Sequence, residues 1–289
     1  MFGECHAHMV LDSIDFHQAI ARHEHGVQDD IVRRNLKAYQ DRGITFVRDG
    51  GDRYGVCKRA KQLAPEYGID YRIPTFTIIQ KDHYGSFLGR PYTDMNDFRV
   101  LVDQARQEGA DFIKLMVSGI CDFNEFGVIM FGHSPLDYIK EQIHIVHEEG
   151  FAAMVHVNGP EAIKAAIAGG ADTIEHGSFM DDEGVDMLAE SDTIWVPTVS
   201  TYGNLIGTGD HPDEALKPLL EYNGKKIRAA YEKGAAIAIG SDAGAPHVPH
   251  GEGAVTEYHW LHRIIGDRPE LDDRLAQAEA TVRRKFQRH

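Results

Sequence analysis

The stretch "AAMVHVNGPEAIKAAIAGGADTIEHGS", residues 152–178, contains one complete unit of a pattern that repeats along the chain. It begins with an apolar run around Val155, continues with apolar residues three and four apart, reaches a glycine pair at 169–170, and ends in the run "DTIEHGS". Short apolar runs are typical of buried strands, and apolar residues at threes and fours followed by glycine are typical of a helix and its end. The stretch therefore predicts a strand, a helix and a second strand.

The same order repeats along the chain. Strand candidates begin near residues 2, 44, 71, 112, 152, 172, 193 and 236, and helical patterns such as "DDIVRRNLKAYQDRG" and "SPLDYIKEQIHIVHEEG" lie between them. The final "LDDRLAQAEATVRRKFQRH" predicts a closing helix. Eight such units in about 250 residues are what a (β/α)₈ barrel needs. We predict an α/β fold, a (β/α)₈ TIM barrel, forming a single domain over residues 1–289.

An open doubly wound sheet is the alternative fold, but it normally carries a phosphate-binding loop. No G-x-G-x-x-G follows a strand candidate and no G-x-x-x-x-G-K-[ST] occurs, so nucleotide binding has little support.

The amino-acid composition limits the classes of partner that the protein is expected to bind. The formal net charge of −15 argues against nucleic acid and anionic membranes, since both call for a basic patch. No stretch approaches the roughly 20 apolar residues of a membrane helix, and the N-terminus lacks the pattern of a signal peptide. The 3 cysteines have no disulfide or metal-site spacing. We expect a cytoplasmic protein that acts on a small molecule and binds neither nucleic acid nor membrane.

Potential metal ligands stand at the ends of five strand candidates, where a barrel has its active site. In "ECHAHM", residues 4–9, two histidines one residue apart emerge on the same side of an extended strand. Imidazoles together with a carboxylate suit Zn²⁺ or a similar divalent ion. The predicted ligands are His6, His8, Lys114, His156, His176 and Asp242.

Lys114 lies in "DFIKLMVS", a strand that should be buried. Burial favours the neutral amine, and a neutral amine can add CO₂ to form a carbamate that bridges two metal ions. A structural ion pair with a strand-end carboxylate is the alternative. Asp242 has two potential roles, as a metal ligand and as the base that takes a proton from metal-bound water. Its alternative is a helix cap in the "SDAG" turn.

Other histidines have a similar spacing but are not expected to bind a metal. His23 and His25 repeat the H-x-H spelling, but they lie in a polar stretch before a helix. The pairs His144 with His147 and His259 with His262 lie on predicted helices, where solvated or packing roles are expected. Cys5 lies between the inward positions of its strand and should point away from them.

The ordered set resembles a known family. The H-x-H of strand one, the lysine of "FIKLMVSG", the histidines of "VHVNG" and "TIEHGS" and the aspartate of "IGSDAG" resemble the metal-site pattern of the amidohydrolase superfamily. The phrases "AIKAAIAGGADTIEHGSFMDD", "WVPTVS" and "GSDAGAPHVPHGEG" resemble its imidazolonepropionase-like and Xaa-Pro dipeptidase-like branch. The resemblance covers residue 4 to about residue 257.

This resemblance implies a binuclear zinc site with a carboxylated lysine. His6, His8, Asp242 and the carbamate of Lys114 would hold one metal, and the same carbamate would join His156 and His176 on the other. Asp242 would be the general base that activates a metal-bridged hydroxide.

Two further positions are similar to dipeptidase-like members. His83 follows strand three and Tyr202 follows strand seven, and in the family such groups hold the substrate carboxylate. Because "QKDHYG" departs from the Gly-Gly-His motif of the family, the alternative is that both positions are ordinary loop residues.

Family members usually carry a small β-sandwich built from residues before strand one and after strand eight. This sequence contains neither part, so we expect a barrel that lacks the accessory sandwich, either as a barrel-only member of the family or because the sandwich is missing from this chain. The absent support would loosen the strand that carries His6 and His8. A homo-oligomer would secure that strand and remains an open alternative.

The leading hypothesis is a metal-dependent hydrolase that cleaves an amide, peptide or related C–N or ester bond of a small molecule. The alternatives are a lactonase or phosphotriesterase-like hydrolase and a catalytically impaired metal-binding barrel. The resemblance disfavours a deaminase, since such members omit the strand-four lysine and carry a His-x-x-Glu after strand five.

Overall fold

A computed structural model describes residues 2–288 of the chain. Its strands are short, as expected for a parallel sheet whose strands alternate with helices. They are β1 (Glu4–Ala7), β2 (Phe46–Asp49), β3 (Asp70–Arg72), β4 (Thr77–Gln80), β5 (Gly89–Tyr92), β6 (Ile113–Met116), β7 (Ala153–Val157), β8 (Thr173–His176), β9 (Ile194–Val196) and β10 (Ala236–Ile237).

Helices alternate with these strands. A 3₁₀ helix, Ala64–Tyr67, follows the third α-helix. The α-helices are α1 (Phe16–Ala21), α2 (Asp29–Asp41), α3 (Val56–Leu63), α4 (Met95–Gln107), α5 (Leu136–Glu148), α6 (Pro160–Ala168), α7 (Asp182–Ala189), α8 (Ser200–Gly203), α9 (Asp213–Glu232), α10 (Glu252–Ile265) and α11 (Leu271–Lys285).

Three helices confirm explicit sequence predictions. The patterns that begin at residues 29 and 134 contain α2 and α5, and the closing pattern contains α11. Gly43 and Gly150, just beyond α2 and α5, have φ angles of 66° and 75°. Glycine adopts this left-handed conformation without steric cost, which is why it ends helices.

The strands pair in parallel around a barrel. The hydrogen-bonded orders are β1-β2-β3 and β10-β9-β8-β7-β6-β4-β5. The two sheets meet where β3 continues into β4 and where β1 lies beside the residues after β10. There the N–H of Cys5 donates to the carbonyl of Ile239 at 2.9 Å, and the N–H of Asp242 donates to that of His6 at 2.8 Å. The predicted (β/α)₈ barrel is confirmed.

The third strand differs from its prediction. The single strand expected from residue 71 is divided into β3, which pairs with β2, and β4, which pairs with β6. Pro74 and Thr75 lie between them, and Thr75 has a φ angle of 68°. Proline cannot donate to a sheet and a left-handed residue turns the chain, so the strand is interrupted. The short β5, which pairs with β4, was not predicted.

The named strands of residues 2–288 all belong to these two parallel sheets. That part of the chain contains no antiparallel sandwich. None of its helices is both long and apolar enough to cross a bilayer.

One end of the barrel is filled with apolar side chains. Phe46 and Phe112, at the amino ends of β2 and β6, pack in one buried cluster with Ala278, Val282 and Phe286 from α11 and the residues after it. The closing helix therefore covers the end opposite to the strands' carboxyl ends. The carboxyl end is left for polar groups.

Cys5 belongs to the same buried cluster, so the prediction that it points away from the inward positions is wrong. The pairing register of β1 against β2 shifts between Glu4 and Ala7. This irregularity breaks the simple alternation of side chains. Cys5 is therefore grouped with Phe46 and Phe112 rather than with the polar residues at the carboxyl end.

Candidate metal centre

The six predicted ligands are brought together at the carboxyl ends of the strands. His6 lies in β1 and His8 follows it; Lys114 lies in β6 and His156 in β7; His176 ends β8, and Asp242 follows β10. Four of them are at least nine-tenths buried: His6, His8, Lys114 and His156.

His6, His8 and Asp242 form the tightest group. Oδ1 of Asp242 lies 3.4 Å from Nε2 of His6 and 3.3 Å from Nε2 of His8. This oxygen is buried and has no hydrogen-bond partner among the described residues. One ligand atom from each of the three residues lies within 4.8 Å of the others. Two imidazole nitrogens and an unpaired carboxylate oxygen that converge in a buried space are a donor set that fits a divalent cation.

His156 and His176 form an adjacent pair, with ring centroids 4.5 Å apart. The ring of His176 lies 5.1 Å from that of His6, so the two groups adjoin. Nδ1 of His176 is hydrogen bonded to the hydroxyl of Thr198 at 2.7 Å, which orients the ring. The predicted ligands His156 and His176 therefore lie beside the group formed by His6, His8 and Asp242.

Burial keeps the histidines neutral. It lowers the pKa of His8 and of His156 to about 3, and it takes the pKa of His6 and of His176 well below the usual value. A neutral imidazole has a free lone pair for a metal. The electrostatics of the site therefore favour cation binding.

Lys114 lies in the middle of the cluster. Its Nζ is 3.5 Å from Nε2 of His6, and its side chain is 1 % exposed. Burial lowers the pKa of the amine to about 8, although Glu175 and Asp242 oppose this effect. The neutral amine, which is the form that reacts with CO₂, is therefore a minority near pH 7 but much more abundant than for an ordinary lysine.

Burial also raises the pKa of Asp242 to about 7, while the positive charge of Lys114 opposes the increase. An aspartate in this range can both accept and release a proton near neutral pH.

The backbone is strained at this end of the barrel. His176, Thr198 and Asp242 have φ angles of 66°, 49° and 63°. Such left-handed conformations are costly for residues other than glycine and concentrate at functional sites. Two of these three residues are predicted ligands.

A buried ion pair behind His6 was not predicted from the sequence. Oε2 of Glu175 lies 2.8 Å from Nδ1 of His6, and Oε1 accepts a 2.8 Å hydrogen bond from Arg48. Arg48 also donates to the carbonyl of Cys5 and to Thr173. Carboxylates that hold the second nitrogen of a histidine orient it for a metal. The sequence feature that could have indicated this ion pair is a charged residue inside each of the strand candidates "ITFVRDG" and "DTIEHGS".

Gly50 provides the space for the ring of His8. A Cβ atom at this position would lie 2.2 Å from Cε1 of His8. We expect Gly50→Ala to displace the ring and to lower the affinity for Zn²⁺ by about 10-fold to 100-fold. The measurement is a zinc titration against a chromophoric chelator.

Gly224→Ala is the matched control, because the nearest atom to a Cβ there is 3.6 Å away. It should leave the zinc affinity unchanged. Equal zinc affinities for Gly50→Ala and the native chain would show that His8 is not a ligand.

A pocket of about 350 Å³ opens above the cluster, and His8, Lys114, His156, His176 and Asp242 all line it. This volume is ordinary for a small-molecule site. A larger cavity of about 760 Å³ lies between α10 and α11, but none of the predicted ligands lines it. The first pocket is therefore the candidate active site.

The two predicted substrate-binding residues differ in their placement. Tyr202 lines the pocket, whereas His83 does not, and the neighbouring Tyr84 lines it instead. The expectation that His83 contacts a substrate therefore has no support from its position. Tyr84 was not among the predicted site residues.

The histidines that were not expected to bind a metal lie away from the cluster. Nδ1 of His23 accepts a hydrogen bond from the N–H of Gln28. His144, His147 and His262 pair with acidic side chains on the helical layer. Their structural roles agree with the sequence analysis.

The barrel and its cluster place this chain among (β/α)₈ proteins with a candidate site at the carboxyl face. Residues 5–273 match the amidohydrolase family, and the chain belongs to that family. The resemblance and the prediction of an amidohydrolase are thus confirmed at the level of the family.

Relatives with similar sequences span longer chains. An uncharacterized protein of Mycobacterium tuberculosis is 31% identical over an alignment of 160 residues, which covers 48% of this chain and 43% of that protein. Ochratoxinase of Aspergillus niger is 29% identical over an alignment of 154 residues, which covers 50% of this chain and 30% of that protein. The chain therefore spans less than half the length of the curated relatives it matches.

A solved structure agrees with the fold over nearly the whole chain. A Xaa-Pro dipeptidase with methionine bound in its active site superposes with a TM-score of 0.74 at 22% identity. The match covers 98% of this chain and 75% of that one. At this identity the similarity concerns the fold alone.

Proposed function

We propose that this chain is a divalent-metal-dependent hydrolase that cleaves an amide bond of a small molecule. The observation that carries the proposal is the buried, unpaired Oδ1 of Asp242 between the Nε2 atoms of His6 and His8. Neutral imidazoles and a carboxylate without protein partners suit Zn²⁺ better than the all-oxygen sites of Mg²⁺ or Ca²⁺.

Two ions per chain are proposed. His6, His8 and Asp242 would hold one, and His156 and His176 would hold the other. Lys114 would contribute to both as a carbamate, which forms when the neutral amine adds CO₂ and releases a proton. Support for this step comes from the burial of the amine and its lowered pKa.

The bound ions would supply Lewis acidity and a water molecule that ionises near neutral pH. The carboxylate of Asp242 would accept the proton of the attacking water and deliver it to the nitrogen of the leaving amine. Glu175 would hold the ring of His6 through Nδ1 during this cycle. The products are a carboxylic acid and an amine.

Four further expectations stay proposals. Residues 1–289 would form one domain, the partner would be a small molecule rather than nucleic acid or membrane, and a homo-oligomer remains open. A cytoplasmic location is consistent with three free cysteines, all of them buried: Cys5, Cys57 and Cys121.

Asp242→Asn tests the proposal. In protein produced with added Zn²⁺ and bicarbonate, we expect about two equivalents of zinc and hydrolysis of at least one amide in a panel of N-acyl amino acids, anilides and dipeptides. Removing the base should lower kcat/KM by about 10²-fold to 10⁴-fold. Mass spectrometry of the released acid and elemental analysis give the two readouts.

The control variant is Asp186→Asn, which changes an exposed aspartate paired with Lys233 and should keep full activity. Native protein without zinc would overturn the proposal. Turnover of lactones or aryl phosphotriesters in place of every amide would favour the alternative hydrolase class. Full zinc loading with no turnover of any compound would favour a metal-binding barrel without catalysis.

A further inference from the structure

Four aromatic side chains form a continuous row along one side of the pocket. The ring centroids of Phe16 and Phe87 are 5.3 Å apart, those of Phe87 and Tyr84 are 5.8 Å apart, and those of Tyr84 and Phe131 are 5.8 Å apart. We call these four residues the aromatic wall. The ring of Tyr84 also lies 5.6 Å from that of His156, so the wall reaches from the mouth to the candidate metal centre.

The outer part of this wall is exposed to solvent. Phe131 is 62% exposed and Phe16 is 39% exposed, and Met130 beside them is 36% exposed. All three line the pocket. Large apolar side chains grouped at the rim of a cleft mark a surface that binds an apolar group.

Charge is scarce in the rest of the pocket. Among the described residues that line it, Lys and Asp side chains occur only as Lys114 and Asp242, and no Arg or Glu occurs. Both belong to the candidate metal centre. A charged group of a substrate away from the scissile bond would therefore lie against apolar surface without an opposite charge, which is unfavourable.

Two further polar rings, those of Tyr202 and His211, line the pocket. Tyr202 is 2% exposed and carries no positive charge. Nδ1 of His211, at the mouth, lies 3.0 Å from the side-chain oxygen of Asn124. Neither residue is a lysine or an arginine, whose positive charge would pair with a substrate carboxylate.

We infer that the substrate is an uncharged amide carrying an aromatic group that stacks on the aromatic wall. This inference rests on the proposed function, because it names the substrate class of the same site. The aromatic group lies along Tyr84 and Phe131 while the amide carbonyl points to the metal centre. A free carboxylate on the substrate weakens its binding, which disfavours ordinary dipeptides.

Matched ligands test this charge preference. The pair is N-benzoyl-phenylalaninamide and N-benzoyl-phenylalanine, which share the benzoyl amide bond and differ in one charge. Their ketomethylene analogues, in which CH₂ replaces the benzoyl amide NH, cannot be hydrolysed at that bond and report binding alone. Calorimetry on the zinc-loaded protein should give a Kd at least about tenfold lower for the neutral analogue.

Phe131→Ser tests the wall. It should raise the Kd of the neutral analogue by about fivefold to tenfold, because one stacking partner is lost. Phe126→Ser is the control: Phe126 is a 44% exposed phenylalanine that packs on Phe179 and Tyr222 and does not line the pocket. It should leave this Kd unchanged.

The outcomes separate this inference from the proposed function. Equal or tighter binding of the carboxylate analogue, or equal effects of the two serine variants, would overturn the inference even if amides are hydrolysed. Selective binding of the neutral analogue without release of benzoic acid from either amide would support the inference and contradict the proposed function.

Discussion

Lys114→Ala is expected to reduce bound zinc from about two equivalents to at most one and to abolish detectable hydrolysis. Alanine has no amine, so no carbamate can form, and the two groups of histidines would lose the ligand that is proposed to join them. Loss of a single orienting group costs about 10-fold to 100-fold in metal affinity, and loss of a shared ligand should cost more. Elemental analysis after dialysis measures the zinc, and mass spectrometry measures the products.

Chemical rescue makes this prediction specific. Alanine leaves a space in which the carboxylate of added acetate or propionate can place its two oxygens. We expect either acid to restore part of the zinc content. The native protein should also show a carbamate signal in ¹³C NMR after growth with ¹³C-bicarbonate, and the variant should not.

Lys217→Ala serves as the control, since Lys217 is 63% exposed and pairs with Asp213 on α9. It should keep both zinc and activity. If Lys114→Ala retained two equivalents of zinc, the lysine would be a structural residue and the shared-ligand proposal would be wrong.

Arg48→Met is expected to destabilise the fold strongly. Arg48 is 0% exposed, pairs with Glu175 and lies 4.3 Å from the ring centroid of Phe286. Methionine would leave the buried carboxylate of Glu175 without its cation. Removing one partner of a buried ion pair costs about 3–5 kcal/mol. Guanidinium unfolding of the metal-free protein measures the free energy of unfolding.

A double variant identifies the cause of this loss. Arg48→Met combined with Glu175→Leu removes both charges, so it should be more stable than Arg48→Met alone. Arg33→Met, which breaks an exposed pair with Glu66, should cost less than about 1 kcal/mol. Additive losses in the double variant would show that the uncompensated charge is not the reason.

The metal-site candidates could be predicted because a parallel barrel imposes a simple rule. Side chains at the carboxyl ends of its strands share one face, so His6, Lys114, His156 and His176 could be grouped before any distance was known. Asp242 followed from the same rule, although β10 itself is only two residues long. Each candidate was visible from local sequence alone.

Other features depended on contacts between distant segments. Arg48 and Glu175 are 127 residues apart in the chain, and their hydrogen bond arises only when β2 and β8 face the same barrel interior. Whether His83 or Tyr84 lines the pocket depends on the turn that follows β4. The break between β3 and β4 likewise depends on backbone angles at Thr75. Periodicity contains no information on these arrangements.

By itself, the sequence determined the alternation of strands and helices and the residue types at the strand ends, because periodicity and strand direction are local properties. Only the tertiary structure decided which atoms converge: the unpaired oxygen of Asp242 beside two imidazoles, the ion pair behind His6, and the aromatic wall of the pocket. The physical reason is that hydrogen bonding, burial and stacking are set by the packing of residues that lie far apart in the chain.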